Sequence, residues 1–452
     1  MARLPNTHLT ALFEATGWSP GQLARALREV ASEEGLDLAC NDTTVRRWLA
    51  GTQPRRPYPT LLLECLTRRL GRRITPQEAG LTRTPAVVVD PSWETDPVGK
   101  LAHLAHTELN SQRQVLLDTS VVTLTSIALR DLTTLPSPPR RPKNPLPDRP
   151  HADQREVDQL RAMAAVFVAT ADKYGGQHVR AALTAYLLHD VLPVLNTSAR
   201  VRTHHELLIA ASHLTLLMGT MCADSGHGST AQHYRQIAAR LAADAGDHAT
   251  LAIALRAMAT HAHDLGNHTP AVLHLAEYAD QHARHASPSV RAYTHIHLAV
   301  MNAHHNRRAA LTALARAENL HTHSAAPPGP FSSYPASALH YQRAQTLATL
   351  GDHTNALTAL TTSLHLRSPT DKLRAALTHA RLAETHLRLG HLEQALAHWN
   401  SFLDIYPALH STRAKQCLRT ALQRLRPFQR HPAVSDVLAR GRYHVNSAHA
   451  LR

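Results

Sequence analysis

A recurring spacing of small residues constrains the fold of this chain most strongly. Between residues 151 and 430, a turn-forming residue recurs with a small residue seven positions before it and, at five of six places, an alanine five positions after it. Small residues at these offsets let two antiparallel helices approach closely around a tight turn. One such hairpin cannot bury its apolar faces alone, so neighbouring hairpins stack. The turn positions are Gly176, Gly226, Gly266, Asn306, Gly351 and Gly390, at intervals of 39 to 50 residues.

The offsets hold at almost every turn. The small residues before the turns are Ala169, Gly219, Ala259, Ala299, Ala344 and Ala383, and those after them are Ala181, Ala231, Ala271, Ala356 and Ala395, with Leu311 after Asn306. The last unit, LAETHLRLGHLEQALAHWNSFLDIYP, resembles the tetratricopeptide (TPR) repeat, although the period exceeds the usual length of about 34 residues. The prediction is an all-α chain with a TPR-like α-solenoid superhelix as its body.

Composition supports this fold and narrows the class of protein. Hydrophobic residues make up 43% of the 452, and glycine is scarce at 18, which favours helices. The four cysteines include no CxxC pair, and the N-terminus has no apolar signal-peptide core. The most apolar stretch, 207–223, contains His213 and several hydroxyl groups and falls short of a membrane span. We expect a reduced, cytoplasmic protein that is not embedded in a membrane.

The first 83 residues are predicted to form several short helices. Residues 7–16 form the first, and Ser19 can cap a second that starts at Pro20. The cluster NDTT, with Asp42 as the expected cap, opens a helix that presents Val45, Trp48 and Leu49 on one apolar face. That helix is predicted to end at the glycine of WLAG, before a loop with three prolines.

The segment DTTVRRWLAG, followed by QPRRPYP, resembles the second helix of the XRE-type helix-turn-helix of bacterial repressors. The resemblance covers about residues 7–75 and implies that the outward side chains enter the major groove of duplex DNA. One departure is the segment 29–41, which is longer than the tight turn of a standard unit. The predicted DNA-binding residues are Thr43, Thr44, Arg46, Arg47, Arg55 and Arg56.

The distribution of charge favours the same partner. The formal net charge is +14, and between Thr43 and Arg83 there are nine arginines against Glu64 and Glu78. A basic surface of this kind suits double-stranded DNA. The alternative is a solvated basic face on a helical module that binds no DNA, which would make the chain a TPR scaffold or adaptor. The long segment 29–41 favours that alternative.

The order of domains resembles actinobacterial regulators that carry an N-terminal helix-turn-helix and a long TPR body. The matching stretches are VRRWLAGTQPR, DKYGGQHVRAALTAYL, MCADSGHGSTAQHY, ATHAHDLGNHTPAV and ALHSTRAKQCLRTAL. The resemblance implies control of transcription, of development or secondary metabolism. The predicted units are a helix-turn-helix domain (1–83), a helical connector (84–134, with a strand-like run at 86–89), a proline-rich linker (135–150), the repeats (151–430) and a basic, solvated tail (431–452).

The concave face of the superhelix is a candidate ligand groove, because such faces are natural binding surfaces. Counting back from each turn places nine residues there: His213, Arg256, Thr260, His263, Tyr293, Tyr341, Gln345, Glu384 and Arg388. A peptide or a small ligand could bind them and change the arrangement of a homodimer. The alternative for each residue is an ordinary solvated inner face.

Catalytic and metal-binding patterns are missing from the sequence. No GxxxxGK[ST], GxSxG or GxGxxG motif occurs, and Asp224 and Asp264 precede turn glycines, which marks them as turn formers. The 35 histidines include the pairs His261/His263 and His304/His305, but no pair has helical metal-ligand spacing with a carboxylate partner. We therefore predict no enzyme activity, no cofactor and no metal site, and attribute the histidines to codon bias on helix surfaces.

Overall fold

The computed structural model describes residues 5–33, 36, 38–72, 74–81, 96–109, 152–323, 331 and 334–450. Within these ranges the regular secondary structure is helical, apart from an isolated bridge between Ala152 and Ala199. The predicted strand-like run at 86–89 and the proline-rich segment 135–150 lie outside the described residues.

Four helices form the N-terminal domain: α1 (Thr7–Thr16), α2 (Pro20–Glu33), α3 (Asp42–Leu49) and α4 (Tyr58–Leu70). The first two begin where the sequence predicts. Ser19 and Gln22 cap α2 reciprocally, because each side chain accepts a hydrogen bond from the other residue's backbone N–H, at 3.3 Å and 2.7 Å. Apolar residues from all four helices share one core, which includes Leu27, Trp48 and Leu61.

Asn6 joins the beginning and end of this domain. Its backbone N–H donates to the carbonyl of Leu49 at 3.1 Å, and its side-chain amide donates to the carbonyl of Ala79 at 3.0 Å. Its side-chain oxygen caps α1 by accepting from the N–H of Leu9 at 3.0 Å. One residue therefore satisfies three parts of the backbone and closes the fold between residues 5 and 81.

The segment predicted as a connector contains a helix, α5 (Pro97–Leu109), that belongs to the repeat body. Leu101 and Leu104 are fully buried in the same apolar core as the first repeats. Glu108 forms a buried ion pair with Arg180 and accepts a hydrogen bond from the hydroxyl of Tyr234 at 2.6 Å. The connector assignment needs correction here, because an apolar face and a buried carboxylate tie α5 to the body.

The body consists of helical hairpins in which each pair of helices packs together and successive pairs contact each other. The first pair is α6 (Gln154–Tyr174) and α7 (Gly176–Tyr186), continued by a π-helical turn (Leu187–Val191) and α8 (Leu192–Leu195). The next five pairs are α9 (Val201–Asp224) and α10 (Gly228–Asp244), α11 (His248–Asp264) and α12 (Pro270–Ala283), α13 (Pro288–Asn302) and α14 (Arg307–Thr322), α15 (Ala336–Thr349) and α16 (His353–His365), and α17 (Lys372–Arg388) and α18 (Leu392–Ile405). This is the predicted all-α, TPR-like architecture.

Close approach explains the small residues around the turns. A Cβ atom on Gly219 would lie 3.2 Å from the carbonyl oxygen of Ala231, its predicted partner on the opposite helix. Gly226 has φ of 85°, and the turn glycines of three later hairpins have φ between 81° and 86°, a region that favours glycine. The predicted hairpin register is therefore confirmed at these turns.

Two turns differ from the prediction. In the first hairpin the residue with positive φ is Gly175, at 93°, and Gly176 already begins α7, so Ala169 and Ala181 fall on exposed positions. Asn306 has φ of −148° rather than a left-handed conformation. Its side chain instead caps α14 by accepting from the N–H of Ala309 at 3.1 Å.

Helix α9 is the one described helix that is long and apolar enough to cross a membrane, judged by length and composition. The sequence-based prediction that residues 207–223 fall short of a membrane span therefore does not hold by length and composition. In the structure 67% of the apolar window is buried against other helices. Its apolar character is therefore that of a core helix.

The C-terminal residues form a last helical pair rather than a solvated tail. After a 3-10 turn (Tyr406–Ala408) come α19 (Thr412–Leu425), a second 3-10 turn (Arg426–Phe428) and α20 (Pro432–Ala450). Val434, Val437 and Leu438 are buried in a core shared with α17 to α19. The predicted boundary at 430 is therefore wrong, because these apolar residues at helical spacing cover the end of the solenoid.

Candidate functional site

Helix α3 is held at its start by Asn41. Asn41 has an extended backbone, and its side-chain oxygen accepts a hydrogen bond from the N–H of Thr44 at 3.0 Å. Asp42, the expected cap, is already the first helical residue. Its carboxylate lies beside Gly21 near the start of α2, where a Cβ atom would be 3.0 Å from Asp42 Oδ1. Asp42 therefore sits between the positive ends of two helices.

One face of α3 is buried and the other is exposed, as predicted. Val45 and Trp48 are buried, and the Trp48 ring packs on Tyr58 with centroids 5.0 Å apart. Arg46 and Arg47 are exposed, together with Thr43. Thr44, also predicted to bind DNA, is half-buried, and its hydroxyl donates to Asn41 at 3.0 Å, so it serves the cap.

The structure divides the arginines that the sequence counts together. Arg68 pairs with Glu64 at 2.7 Å and Arg72 pairs with Glu78 at 2.6 Å. Arg69 donates from Nε to the carbonyl of Thr16 at 2.9 Å. Arg73 and Arg83 lie outside the described residues.

Four arginines remain on the surface of the helix and the loop that follows it. The side chains of Arg46, Arg47, Arg55 and Arg56 are exposed and make no hydrogen bond or ion pair within the described part of the chain. We call these four residues the arginine surface. It concentrates positive charge on α3 and the loop before α4, at the positions that the sequence assigned to DNA.

The predicted ligand groove is partly filled by its own side chains. The guanidinium of Arg256 lies 3.6 Å from the centroid of the Tyr293 ring, and its Nε donates to the carbonyl of Tyr293 at 2.9 Å. Arg256 also approaches Thr260 Oγ1 at 3.5 Å, and only 6% of its surface is exposed. Tyr293 meets the ring of Tyr334 edge-on at 5.2 Å. These groove residues bind one another.

A residue after the proline-rich insertion covers another part of the groove. Phe331 stacks on His213, with ring centroids 4.0 Å apart and planes 4° from parallel. Burial lowers the pKa of His213 to about 4. Nothing in the spacing of the repeats predicted that Phe331 reaches α9.

The remaining groove residues lie near α17. The nearby Tyr341 helps to raise the pKa of Arg381, whose guanidinium lies 3.7 Å from the Glu384 carboxylate. Gln345 is half-buried and Arg388 is exposed. The nine residues that the sequence placed on one face therefore fall into an Arg256–Tyr293 group, a Tyr341–Glu384 group and separate positions.

The loop before α19 contacts the first hairpin of the repeat body. The N–H of His410 donates to the carbonyl of Tyr174 at 2.8 Å. Asp224 accepts from the N–H of Gly176 at 2.8 Å and from the hydroxyl of Ser411. Burial raises the pKa of Asp224, and these hydrogen bonds oppose the shift.

Asp264 makes a similar link from the next hairpin. Its carboxylate lies 3.6 Å from the guanidinium of Arg413. Burial raises the pKa of Asp264, but Arg413 and the neighbouring His263 outweigh it, so the net pKa lies below the ordinary range. Asp224 and Asp264 do precede turns, as predicted, but both also bind residues of the C-terminal loop and helix.

Three histidines meet at the turns of adjacent hairpins, which the sequence did not predict. One ring nitrogen from each of His263, His268 and His304 lies within 4.8 Å of the others. Burial, with the neighbouring histidines, lowers the pKa of His304 to about 4. His261, paired with His263 in the sequence analysis, points elsewhere: its Nε2 lies 2.8 Å from the carbonyl of Gly228.

Comparison with known proteins adds a family match at the N-terminus. A family model described as the SP15 N-terminal domain matches residues 9–82. No curated protein matches the chain. A solved structure titled "Crystal structure of APC/C hetero-tetramer Cut9-Hcn1" is similar at 13% identity and a TM-score of 0.34, over 96% of this chain and 74% of that chain. Helices α1 to α4 therefore coincide with a region similar to SP15 N-terminal domains, and the body is assigned from its own helix packing.

Proposed function

We propose that the chain is a cytoplasmic transcriptional regulator that binds double-stranded DNA through its N-terminal domain. The arginine surface carries this proposal. Four arginines with no partner in the described chain project from α3 and the adjoining loop, whereas Arg68, Arg69 and Arg72 serve the fold. Charged side chains that the fold does not use are available to an anionic partner.

The dimensions of α3 suit the major groove. An α-helix with its side chains is about 10–12 Å across, which matches the groove width of about 12 Å, so α3 can lie in the groove with its exposed face against the bases. Arg46 and Arg47 would reach base edges, where arginine suits guanine O6 and N7, and Thr43 would contact phosphate or a thymine methyl. Arg55 and Arg56 would neutralise phosphates beside it.

The body would bring two such domains together in a homodimer. A long solenoid offers more surface than DNA binding requires, and half-sites on DNA match the symmetry of a protein dimer. A peptide or small ligand in the groove would have to bind near Tyr341, Gln345 and Arg388, because Arg256 and Tyr293 already contact each other. Light scattering of the full chain measures the oligomeric state.

The test is DNA binding by the full chain over a series of salt concentrations. If the arginine surface neutralises about four phosphates, log K should fall with log salt with a slope of about −3.6. The double variant Arg46→Ala, Arg47→Ala should bind a selected sequence more weakly, by about 1–3 kcal/mol for each arginine that reads a base edge. Selection from random duplex DNA supplies that sequence.

The matched control removes the same charge from the body. Arg308 and Arg316 are exposed on α14, so Arg308→Ala, Arg316→Ala should leave DNA affinity unchanged. An equal decrease in affinity in the two double variants would mean that DNA responds only to net charge. Absence of binding by the unaltered chain even at about 50 mM salt, where phosphate contacts are strong, would favour the scaffold alternative.

A further inference from the structure

The histidine cluster at the α11–α12 turn joins two successive hairpins. His263 lies in the last turn of α11, His268 lies in the loop before α12, and His304 follows the end of α13. The three residues therefore come from two hairpins that are adjacent in the solenoid. A ligand held by all three would fix one turn against the next.

The distances match a metal site. His263 Nε2 and His304 Nε2 are 3.3 Å apart. Two imidazole nitrogens at about 2.0–2.1 Å from one tetrahedral zinc ion are separated by about 3.3–3.4 Å. The His268 and His304 rings lie parallel with centroids 3.8 Å apart, so one ring must turn for both lone pairs to converge. The Cβ–ring torsion of histidine has a broad minimum that allows this.

Two polar groups near the cluster are placed as expected around a bound metal ion. The Nδ1 atom of His268 is buried and has no hydrogen-bond partner among the described residues. Such orphaned groups are rare in folded proteins and call for a ligand, an ion or a water. Asp264 Oδ1 lies 3.7 Å from His263 Nδ1, the side of the ring where metal-binding histidines commonly meet a carboxylate.

We propose that His263, His268 and His304 bind one divalent transition-metal ion of the zinc class. Imidazole ligands suit zinc, copper, nickel and cobalt rather than magnesium or calcium. Three protein ligands leave the fourth position of a tetrahedral zinc ion to water. This proposal does not depend on whether the N-terminal domain binds DNA.

Metal binding would also affect the contact between the repeats and the C-terminal helices, through Asp264. A bound ion polarises the His263 ring and strengthens its contact with the Asp264 carboxylate, which also pairs with Arg413 of α19. The ion would thus stabilise both the junction of two hairpins and the contact between α11 and the C-terminal helices.

Other close histidines in the chain provide matched controls. His379 Nδ1 and His398 Nδ1 are 3.1 Å apart, and His248 Nδ1 and His282 Nδ1 are 2.9 Å apart. Neither pair belongs to a group of three whose ligand atoms converge within the described residues. These pairs test whether two close histidines alone are enough to bind zinc tightly in a chain with 35 histidines.

The experiment is a Zn²⁺ titration of the untagged full chain against a chromogenic chelator. We expect one tight site, because His263, His268 and His304 bring three ligand atoms together within the described part of the chain. His263→Gln, His268→Gln and His304→Gln should each abolish the tight site, and Asp264→Asn should weaken it about tenfold. Circular dichroism checks that each variant remains folded.

Cobalt replaces zinc as a probe of geometry. Co²⁺ bound to the unaltered chain should show the intense visible absorption of tetrahedral coordination, and His304→Gln should lose it. The control variants His379→Gln, His398→Gln should keep both the tight zinc site and the cobalt spectrum. Loss of the tight site in the controls, its persistence in the three ligand variants, or a six-coordinate cobalt spectrum would overturn the proposal.

Discussion

The arginine surface of the N-terminal domain and the long-range charged contacts of the repeat body show two opposite uses of charged residues. In the N-terminal domain Arg46, Arg47, Arg55 and Arg56 project outward with no partner in the described chain. In the body, charged side chains bind parts of the chain far apart in sequence: Arg374 with Asp172, 202 residues away, and Ser411 with Asp224, 187 residues away. Counting charged residues in a sequence therefore indicates a binding surface only where those side chains have no partner within the folded chain.

The largest predicted effect concerns the N-terminal core. Trp48→Ala should lower the free energy of unfolding of this domain by about 3–5 kcal/mol, because it removes a buried aromatic that packs on Tyr58. The transition of the body should not move, since its core clusters contain other residues. Calorimetry of the full chain measures both transitions. Arg47→Ala is the control, and an unshifted N-terminal transition in Trp48→Ala would mean that the buried face of α3 is assigned wrongly.

The next effect concerns the buried ion pair that attaches α5. Glu108→Gln should destabilise the body by about 3 kcal/mol, because it leaves the Arg180 guanidinium buried without its counter-charge. Glu206→Gln is the control, since its partners Arg161 and Arg202 are 48% and 92% exposed and such pairs contribute little. Urea unfolding of both variants gives the comparison. Equal stabilities would show that α5 is a connector after all.

Acid should destabilise the body more than the N-terminal domain. Burial lowers the pKa of His261 to about 3, against about 6.5 when unfolded, so between these values the unfolded chain binds a proton that the folded chain does not. Stability is therefore full above about pH 6.5 and falls as the pH falls. Between pH 7 and pH 5 the decrease is about 2 kcal/mol for this residue.

The contrast with the N-terminal domain makes this prediction specific, because residues 1–85 contain one histidine, His8. His261→Gln should reduce the pH dependence of the body, since the amide can still donate to the carbonyl of Gly228 but does not titrate. Thermal melts at several pH values measure it. An unchanged pH dependence would assign the acid sensitivity to other groups.

The sequence predicted those parts of the fold that depend on local pattern. Helix starts at Ser19 and turns at Gly226 and Gly266 follow from capping and from backbone conformation, which involve neighbouring residues. The buried face of α3 follows from helical periodicity. These features were predictable because few residues decide them.

Contacts between distant segments were not predictable from the same patterns. Nothing local in the sequence indicates that Phe331 stacks on His213 or that His304 meets His263, because both contacts join residues of different hairpins. The same holds for the predicted ligand groove, because the periodicity gave no sign that Arg256 packs against the Tyr293 ring. One sequence signal could have indicated the contacts with the C-terminal segment. Asp224 and Asp264 recur at equivalent places in two repeats, two positions before the turn glycine.

The smallest predicted effect tests which contacts hold the C-terminal helices against the first repeats. Arg413 and Asp264 are 49% and 36% exposed and 3.6 Å apart, so Arg413→Ala should cost less than about 1 kcal/mol. This attachment should depend instead on Asp224, which is 4% exposed and accepts hydrogen bonds from Gly176 and Ser411. Asp224→Ala should therefore cost more than Arg413→Ala, and only the Arg413 effect should shrink in high salt, because exposed charges are screened. Thermal melts at low and high salt compare the two variants. A larger, salt-independent destabilisation in Arg413→Ala would mean that this ion pair is desolvated inside the groove and that, in the body, even a half-exposed charge holds the fold together.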